Sequence, residues 1–494
     1  MDAEVVVVGA GIGGLTVAAL LAARGVNVCV LERTSNVGGC AANFDKFEYS
    51  FEGGNGLYTS WEPNGIHHRV FSELPVDPPE VDLLEPGYVV RLPGAQVSLT
   101  ADTGTFEQNL RETFPECAVK ATDVYRELDR TGAALRRLMQ RVPDFFTASR
   151  ARQGVELLRE GRAGAEILNR RQQTMAEHLD GTSPRFRSFI DAQLRAFAQI
   201  GADQGSYLYA ALALTAPRGA MFAIHGGGSA LANKLADSIA RSGGKIRLDT
   251  PVLRLAYNST GEAAGVDLLS GETVTASKAI ISNLTIWDTY GKLIGLNRTS
   301  AEVRKQLKSL RSWGAYLLYL GLDDDTARSL NSERFLLVSD WEDVGASASE
   351  DRQLLFAATP AHDRRAPQDK RAVTVHACTE VDEWFSFHQD ETEAEEKDQA
   401  MLERCWERLH AASPELGNSI EVIDTATPRT FYESTRRTLG MVGGLPVTPT
   451  TFWQTQPSYL TSVPNLFIAS DTVAPGGVSG VTQAAWTLAN RLTK

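Results

Sequence analysis

Apolar residues first gather at positions 4–8, a short β-branched run that suits a parallel strand buried on both faces. The run passes straight into Gly9-Ala10-Gly11-Ile12-Gly13-Gly14. Residues 15–24 then carry Ala and Leu at helical spacing, and Gly25 marks a stop. Residues 26–31 predict a second strand, which ends at Glu32. The last thirty residues repeat the scheme: an apolar strand at 466–469, an acid at Asp471, a Gly/Pro loop, and an amphipathic helix at 483–492. Between these ends, residues 105–240 read as helical with Gly and Pro interruptions. Strands are expected at 316–322 and 373–377, and an acidic stretch at 380–407 turns helical.

The strand–glycine–helix–strand–acid order carries chemistry. Gly9, Gly11 and Gly14 match GxGxxG, with Gly13 inside the turn. The first glycine permits a tight turn, the second lets amides approach a pyrophosphate, and the third lets helix and strand pack closely. The helix N-terminus presents free N–H groups and a positive dipole end to phosphates. Glu32 lies where a carboxylate can accept from an adenosine ribose. The motif alone does not separate FAD from NAD. The C-terminal strand, loop and helix offer a second set of free amides.

Composition narrows the class. The chain has 494 residues, 43% hydrophobic and 22% charged, which is ordinary for a globular protein of two or three domains. The formal charge is −12, so no general electrostatic attraction to nucleic acid is expected. Five cysteines at wide spacing, none in CxxC, give no disulfide framework or zinc motif. No HxH or HExxH occurs, and no metal site is expected. No leader pattern opens the chain and no apolar run reaches about 18 residues, so a cytoplasmic protein without a membrane span is expected. Residues 121–200 hold 14 Arg, no Lys and 10 acids, with Leu135, Leu138, Met139, Val142, Phe145 and Phe146 interleaved. Such a segment reads as a solvated helical cap, or as a face for peripheral contact with an anionic membrane. Asp323-Asp324-Asp325 reads as a surface turn, lacking the glycine and spacing of a calcium loop. His225-Gly226-Gly227-Gly228 has no accompanying GxSxG, so a hydrolase is not supported.

Past Glu32 the chain resembles the FAD-dependent phytoene desaturase, carotenoid isomerase and retinol saturase group, within the amine-oxidase-like flavoproteins. The resemblance rests on Glu32-Arg33 followed by Gly38-Gly39-Cys40, on Phe51, Glu52 and Gly54, and on residues 224–231 and 243–252. It continues through Ala279-Ile280-Ile281-Ser282-Asn283, residues 465–471, and Pro475-Gly476-Gly477-Val478-Ser479-Gly480-Val481. Ser470 stands where the group usually has glycine, and Glu52 where it has Asp. By this resemblance the fold is α/β, a Rossmann-like FAD-binding domain with an α+β substrate domain and a helical cap. Segments 1–100, 225–295 and 430–494 would bind FAD, and 101–224 and 296–429 would bind substrate. The cofactor-facing residues would be Gly9, Gly11, Gly13, Gly14, Glu32, Arg33, Gly38, Gly39, Cys40, Gly54, Val252, Asn283, Asp471, Gly476, Gly477, Gly480 and Val481.

The resemblance implies a long apolar polyene or isoprenoid substrate. Its carbon–carbon bonds would be desaturated, isomerised or saturated by hydride transfer with flavin N5. With no second dinucleotide motif, electrons would pass to or from a diffusing partner such as oxygen or a quinone, or the net reaction would be redox-neutral. His225 is the one candidate catalytic side chain, because it adjoins a glycine turn. The alternatives are an amine-oxidase-type flavoenzyme, with Trp453 and Tyr459 framing the flavin, or a tailoring oxidoreductase of a polyketide or other lipid-like product.

Overall fold

A computed structural model describes residues 2–142, 145, 148–330, 332–341, 352–385, 391–453, 460–474 and 476–493. Phe146, Tyr459, Pro475 and the side chain of Trp453, all singled out above, lie outside the described residues.

The first sheet is doubly covered, and the strand Asp2–Val8 shows why. Val5 and Val7 enter one apolar core, while Val6 and Val8 enter another on the opposite face. Val28 and Val30 against Cys29 and Leu31 repeat the split on the neighbouring strand. A strand buried on both faces needs an unbroken apolar run, which is what the sequence supplies. The strand order is Lys245–Arg247, Val28–Leu31, Asp2–Val8, Thr273–Ser282, Ala263–Leu268, Val252–Tyr257. Leu466–Ile468 pairs in parallel with the end of Thr273–Ser282, so the C-terminus rejoins the strands of the N-terminus. The helix Ile12–Ala23 is buried on nearly every side, packed between Gly227–Arg241 and the C-terminal helix Gly477–Leu492.

The second sheet follows the order Ile420–Ala426, Gly314–Asp323, Lys370–Thr379, Gln353–Ala358, Arg334–Val338, Val89–Leu92, Ala95–Ser98. Its last two strands come from the 1–100 segment that the sequence reading groups with the FAD-binding domain. Alternation sorts the strand Gly314–Asp323. Tyr316, Leu318, Leu320 and Leu322 share an outer core with Met401, Cys405 and Leu409 of the acidic helix Glu391–Ala412. Ala315, Leu317 and Tyr319 turn inward, towards Tyr49 and Phe51. The acidic stretch is thus a solvated face whose apolar stripe covers the sheet. Asp324 opens a short helix, Asp324–Ser329, rather than a bare turn, and pairs with Arg328 and Arg371.

Helices between Thr103 and Thr215 form the cap. Most of its arginines are in local ion pairs, among them Arg126–Glu107, Arg141–Glu160, Arg170–Glu127 and Arg195–Asp191. No described helix is long and apolar enough to cross a membrane.

Candidate functional site

A cavity of about 950 Å3 runs between the first sheet, the second sheet and the cap. One half is built of main-chain turns. Gly9 begins the first turn, its N–H donating to Leu31 O at 2.8 Å. The helix Ile12–Ala23 starts at Gly11 with no side-chain cap, so its first amides stay free for a ligand. Two glycines here are fixed by space. A Cβ on Gly11 would lie 2.5 Å from Asn283 Oδ1, and one on Gly13 would lie 2.5 Å from both Ala469 O and Val481 Cγ2. Asn283 explains the first clash: its Oδ1 accepts from Gly11 N at 2.9 Å and its Nδ2 donates to Ala469 O at 2.5 Å. It therefore bolts the N-terminal turn to the C-terminal strand.

Glu32 is held by three donors: Ala10 N at 2.7 Å, and the Thr34 N and Oγ1, each at 2.9 Å. Arg33 donates to Ser434 O at 2.6 Å. On the C-terminal side, Gly476 opens Gly477–Leu492, a second helix without a side-chain cap. Asp471 accepts from Arg437 Nη2 at 2.7 Å through Oδ2, while its buried Oδ1 has no partner among the described residues. Burial pulls the Arg437 guanidinium down, yet Asp471, Cys40 and Asp288 around it win, and it is held above its ordinary value. Burial pushes the Cys40 thiol up, only partly offset by Arg437.

These residues fit a dinucleotide. Asp471 Oδ1 is an acceptor awaiting a donor, the two uncapped helix ends face one space, and a Cβ on Gly54 or Gly477 would meet nothing within 4 Å. Of the residues singled out for the cofactor, all but Gly14 line the cavity: Gly9, Gly11, Gly13, Glu32, Arg33, Gly38, Gly39, Cys40, Gly54, Val252, Asn283, Asp471, Gly476, Gly477, Gly480 and Val481. Gly14 instead packs under the turn, where a Cβ would lie 2.4 Å from Gly9 O. His225 is not among the lining residues; it follows the strand Met221–Ile224 and faces Asp82 and His362.

Glu52 organises the turn half from behind. It is buried, accepting from Tyr58 Oη at 2.7 Å through Oε2 and pairing with Arg365 Nη1 at 2.7 Å through Oε1. Gly228 N also reaches Oε2, at 3.4 Å. Burial, then the Glu52 charge, pushes the Tyr58 hydroxyl well up, so it stays a donor. Arg365 and Arg437 were missed in the sequence. Each meets its acid only through the tertiary fold, 313 and 34 residues away, and no local pattern marks them.

The other half of the cavity is walled by side chains, among them Met139, Phe197, Tyr209, Leu212, Val447 and Phe452. Two titratable groups on the cavity wall are kept uncharged. Burial holds His376 down at about 4 and pushes Tyr209 up to about 12. Arg69, Arg136 and Glu62 also line the cavity. Such a chamber accepts an apolar molecule and excludes water from whatever meets the turn half.

Comparison with known proteins agrees with this geometry. The family model for flavin containing amine oxidoreductases matches residues 12–493. The chloroplastic prolycopene isomerase of Arabidopsis thaliana is 24% identical over 99% of this chain and 82% of its own length. The all-trans-retinol 13,14-reductase of Homo sapiens is 23% identical over 99% of this chain and 85% of its own length. Among solved structures, an oxidoreductase from Methanosarcina mazei superposes with a TM-score of 0.65 at 17% identity, covering 99% of this chain and all of that one. Putrescine oxidase bound to putrescine gives 0.64 at 15% identity, covering 99% of each chain. At these identities the solved structures speak for the fold.

Proposed function

The chain belongs to the flavin containing amine oxidoreductase family, an oxidoreductase family, and on that footing we propose that it binds FAD along the turn half of the cavity and acts on carbon–carbon bonds of a long apolar polyene or isoprenoid. The observation that carries the reading is the continuity of the cavity, from the glycine turns at its one end to an apolar, side-chain-walled chamber at the other. The names of the two curated relatives, a prolycopene isomerase and a retinol reductase, support a polyene as the substrate class.

FAD, when bound, supplies at N5 a group that takes or gives a hydride. The chain's own residues do the rest. Free amides in the first turns of Ile12–Ala23 and Gly477–Leu492 receive phosphate charge, and Glu32 receives a ribose hydroxyl. Asp471, steadied by Arg437, offers Oδ1 to a donor on the sugar-alcohol chain. Phe197, Leu212 and Phe452 hold a substrate carbon against the turn half and keep water away. The uncharged state of His376 suits a polyene, over which developing charge is delocalised. An ammonium substrate would lose its hydration against Met139, Phe197 and Phe452, a cost that only a wall carboxylate such as Glu62 could offset.

Electrons would leave or arrive through a diffusing partner such as oxygen or a quinone. Anaerobic mixing of the purified yellow protein with polyenes tests the reading. Bleaching of the flavin marks desaturation. Geometric isomerisation without net bleaching marks an isomerase, and turnover only from reduced flavin marks a saturase. A protein that binds flavin and changes no polyene in either redox state removes the reading. Exposed Val155, Leu158 and Leu168 beside Arg152, Arg159 and Arg162 give the cap a basic apolar face through which such a substrate would be gathered from an anionic bilayer. Co-flotation with anionic, and not neutral, liposomes is the expected result.

A further inference from the structure

Behind the wall of the cavity, three side chains distant in sequence point at one another. Asp82 lies on the strand Val81–Leu83, which pairs antiparallel with Met221–Ile224, so Asp82 stands opposite Ala223, two residues before His225. His362 comes from the turn that follows the strand Gln353–Ala358. His225 Nε2 lies 3.0 Å from Asp82 Oδ2, His362 Nε2 lies 2.9 Å from the same oxygen, and the two imidazole nitrogens are 2.9 Å apart.

Protons do not satisfy this triangle. Each Nε2 carries at most one hydrogen, so if both donate to Asp82 their hydrogens oppose each other across the third edge. A second carboxylate, Glu80 Oε2, lies 3.3 Å from His225 Nδ1, and a metal on Nε2 would leave the ring hydrogen on Nδ1, facing it. Nε2 of His225 then presents a bare lone pair towards Asp82 and His362.

A cation resolves the arrangement. Three donors about 2.1 Å from one metal are ~3.0 Å apart on an octahedral face and ~3.4 Å apart in a tetrahedron. The observed edges match the octahedral face, with the metal ~1.2 Å above the plane of the donors at that bond length. Two neutral imidazoles with the carboxylates of Asp82 and Glu80 balance a double positive charge. The His225 side chain is 26% exposed, Asp82 35% and His362 55%, so water can complete the coordination. We propose that Asp82, His225 and His362 form a site for a divalent first-row transition-metal cation, with Glu80 orienting His225 through Nδ1. Nitrogen-rich donors of this type favour such cations over magnesium or calcium.

The site is placed to clip the small three-stranded sheet that holds Val81–Leu83 and Met221–Ile224 to the turn after Gln353–Ala358 of the second sheet. Gly226, next to His225, donates to Asp363, next to His362, at 3.3 Å. Asp363 in turn holds Arg365, which pairs with Glu52 at the back of the cavity. The metal therefore fastens the 360–366 turn to the start of Gly227–Arg241, independently of what the cavity binds. His225 was a catalytic candidate in the sequence; here it is a ligand, and the absence of an HxH or HExxH pattern is no guide, because its partners are 143 and 137 residues away.

The test uses the full-length flavin-loaded protein, stripped with EDTA and titrated with Zn2+ or Co2+. One equivalent is expected to bind, to raise the thermal midpoint, and with Co2+ to give the weak visible bands of a six-coordinate ion. His362→Ala, on the most exposed ligand, and His225→Ala should each weaken Zn2+ binding by ~100-fold, and Glu80→Ala by ~10-fold, in line with losses at metal ligands and their supports. No bound equivalent in the wild type, or Zn2+ affinity unchanged in both histidine variants, overturns the proposal. Flavin content, read in the same samples, keeps this outcome separate from the fate of the cavity.

Discussion

The two halves of the cavity are built from different material. The turn half presents main-chain amides, fixed by close contacts such as that of Asn283 with Gly11. The chamber half presents side chains from the cap, the second sheet and residues 445–452, each delivered by a different element. Main-chain sites recognise charge and shape common to every dinucleotide, whereas side-chain walls set which substrate fits. Change in the first half should abolish cofactor binding, and change in the second should alter selectivity while the cofactor stays.

The sharpest way to break that contrast is Gly13→Val. With a Cβ 2.5 Å from Ala469 O and from Val481 Cγ2, the strand and helix must part, and purified protein is expected to lose its flavin absorbance altogether. Retained stoichiometric flavin would show that the turn is not the cradle. Next comes the buried pair behind the turns. Arg365→Met leaves Glu52 charged and unpaired, at a cost of about 3–5 kcal/mol in urea unfolding. A loss under 1 kcal/mol would mean that Tyr58 and Gly228 suffice to hold the carboxylate. Arg437→Met removes one charged hydrogen bond from Asp471, worth about 2–3 kcal/mol, and is expected to weaken flavin retention in dialysis more than it lowers stability.

Acid gives a smaller and graded effect. Burial holds His67 near 3 and His376 near 4, while the unfolded chain takes up protons near 6.5. Both pKa values are depressed in the fold, so their contribution is full above about pH 6.5 and shrinks as pH falls towards 4, by ~1.4 kcal/mol per pH unit for each histidine. Urea midpoints at about pH 7.5 and 5 check this, and His67→Gln should flatten the dependence by one histidine's share. An unchanged slope in that variant would refute the assignment. Smallest in free energy, and most telling for the contrast, is Leu212→Trp in the chamber. Filling part of the wall should lower kcat/KM for a bulky polyene by ~10-fold, which is about 1.4 kcal/mol, with flavin content untouched. Equal loss of flavin would dissolve the distinction between the halves.

The strands at both chain ends, the glycine turn, Glu32 and the C-terminal strand–loop–helix were all legible as sequence because each is a local device. Parallel central strands demand continuous apolar runs, and a tight turn beneath a helix demands glycine, so the pattern and the structure carry the same information. The rest was decided by the fold. Arg365 and Arg437 are ordinary arginines until the chain brings Glu52 and Asp471 beside them. His225 adjoins a glycine turn in sequence, yet the pairing of Val81–Leu83 with Met221–Ile224 sets it facing Asp82, away from the cavity. Strand 89–92 joins the second sheet by pairing with Arg334–Val338, a partner more than two hundred residues on, and strand 95–98 follows it as the sheet's edge. Local sequence fixes backbone shape through short-range sterics and burial periodicity. Which side chains meet, and hence which charges are paired and which ligands converge, depends on contacts between segments with no covalent reason to be neighbours.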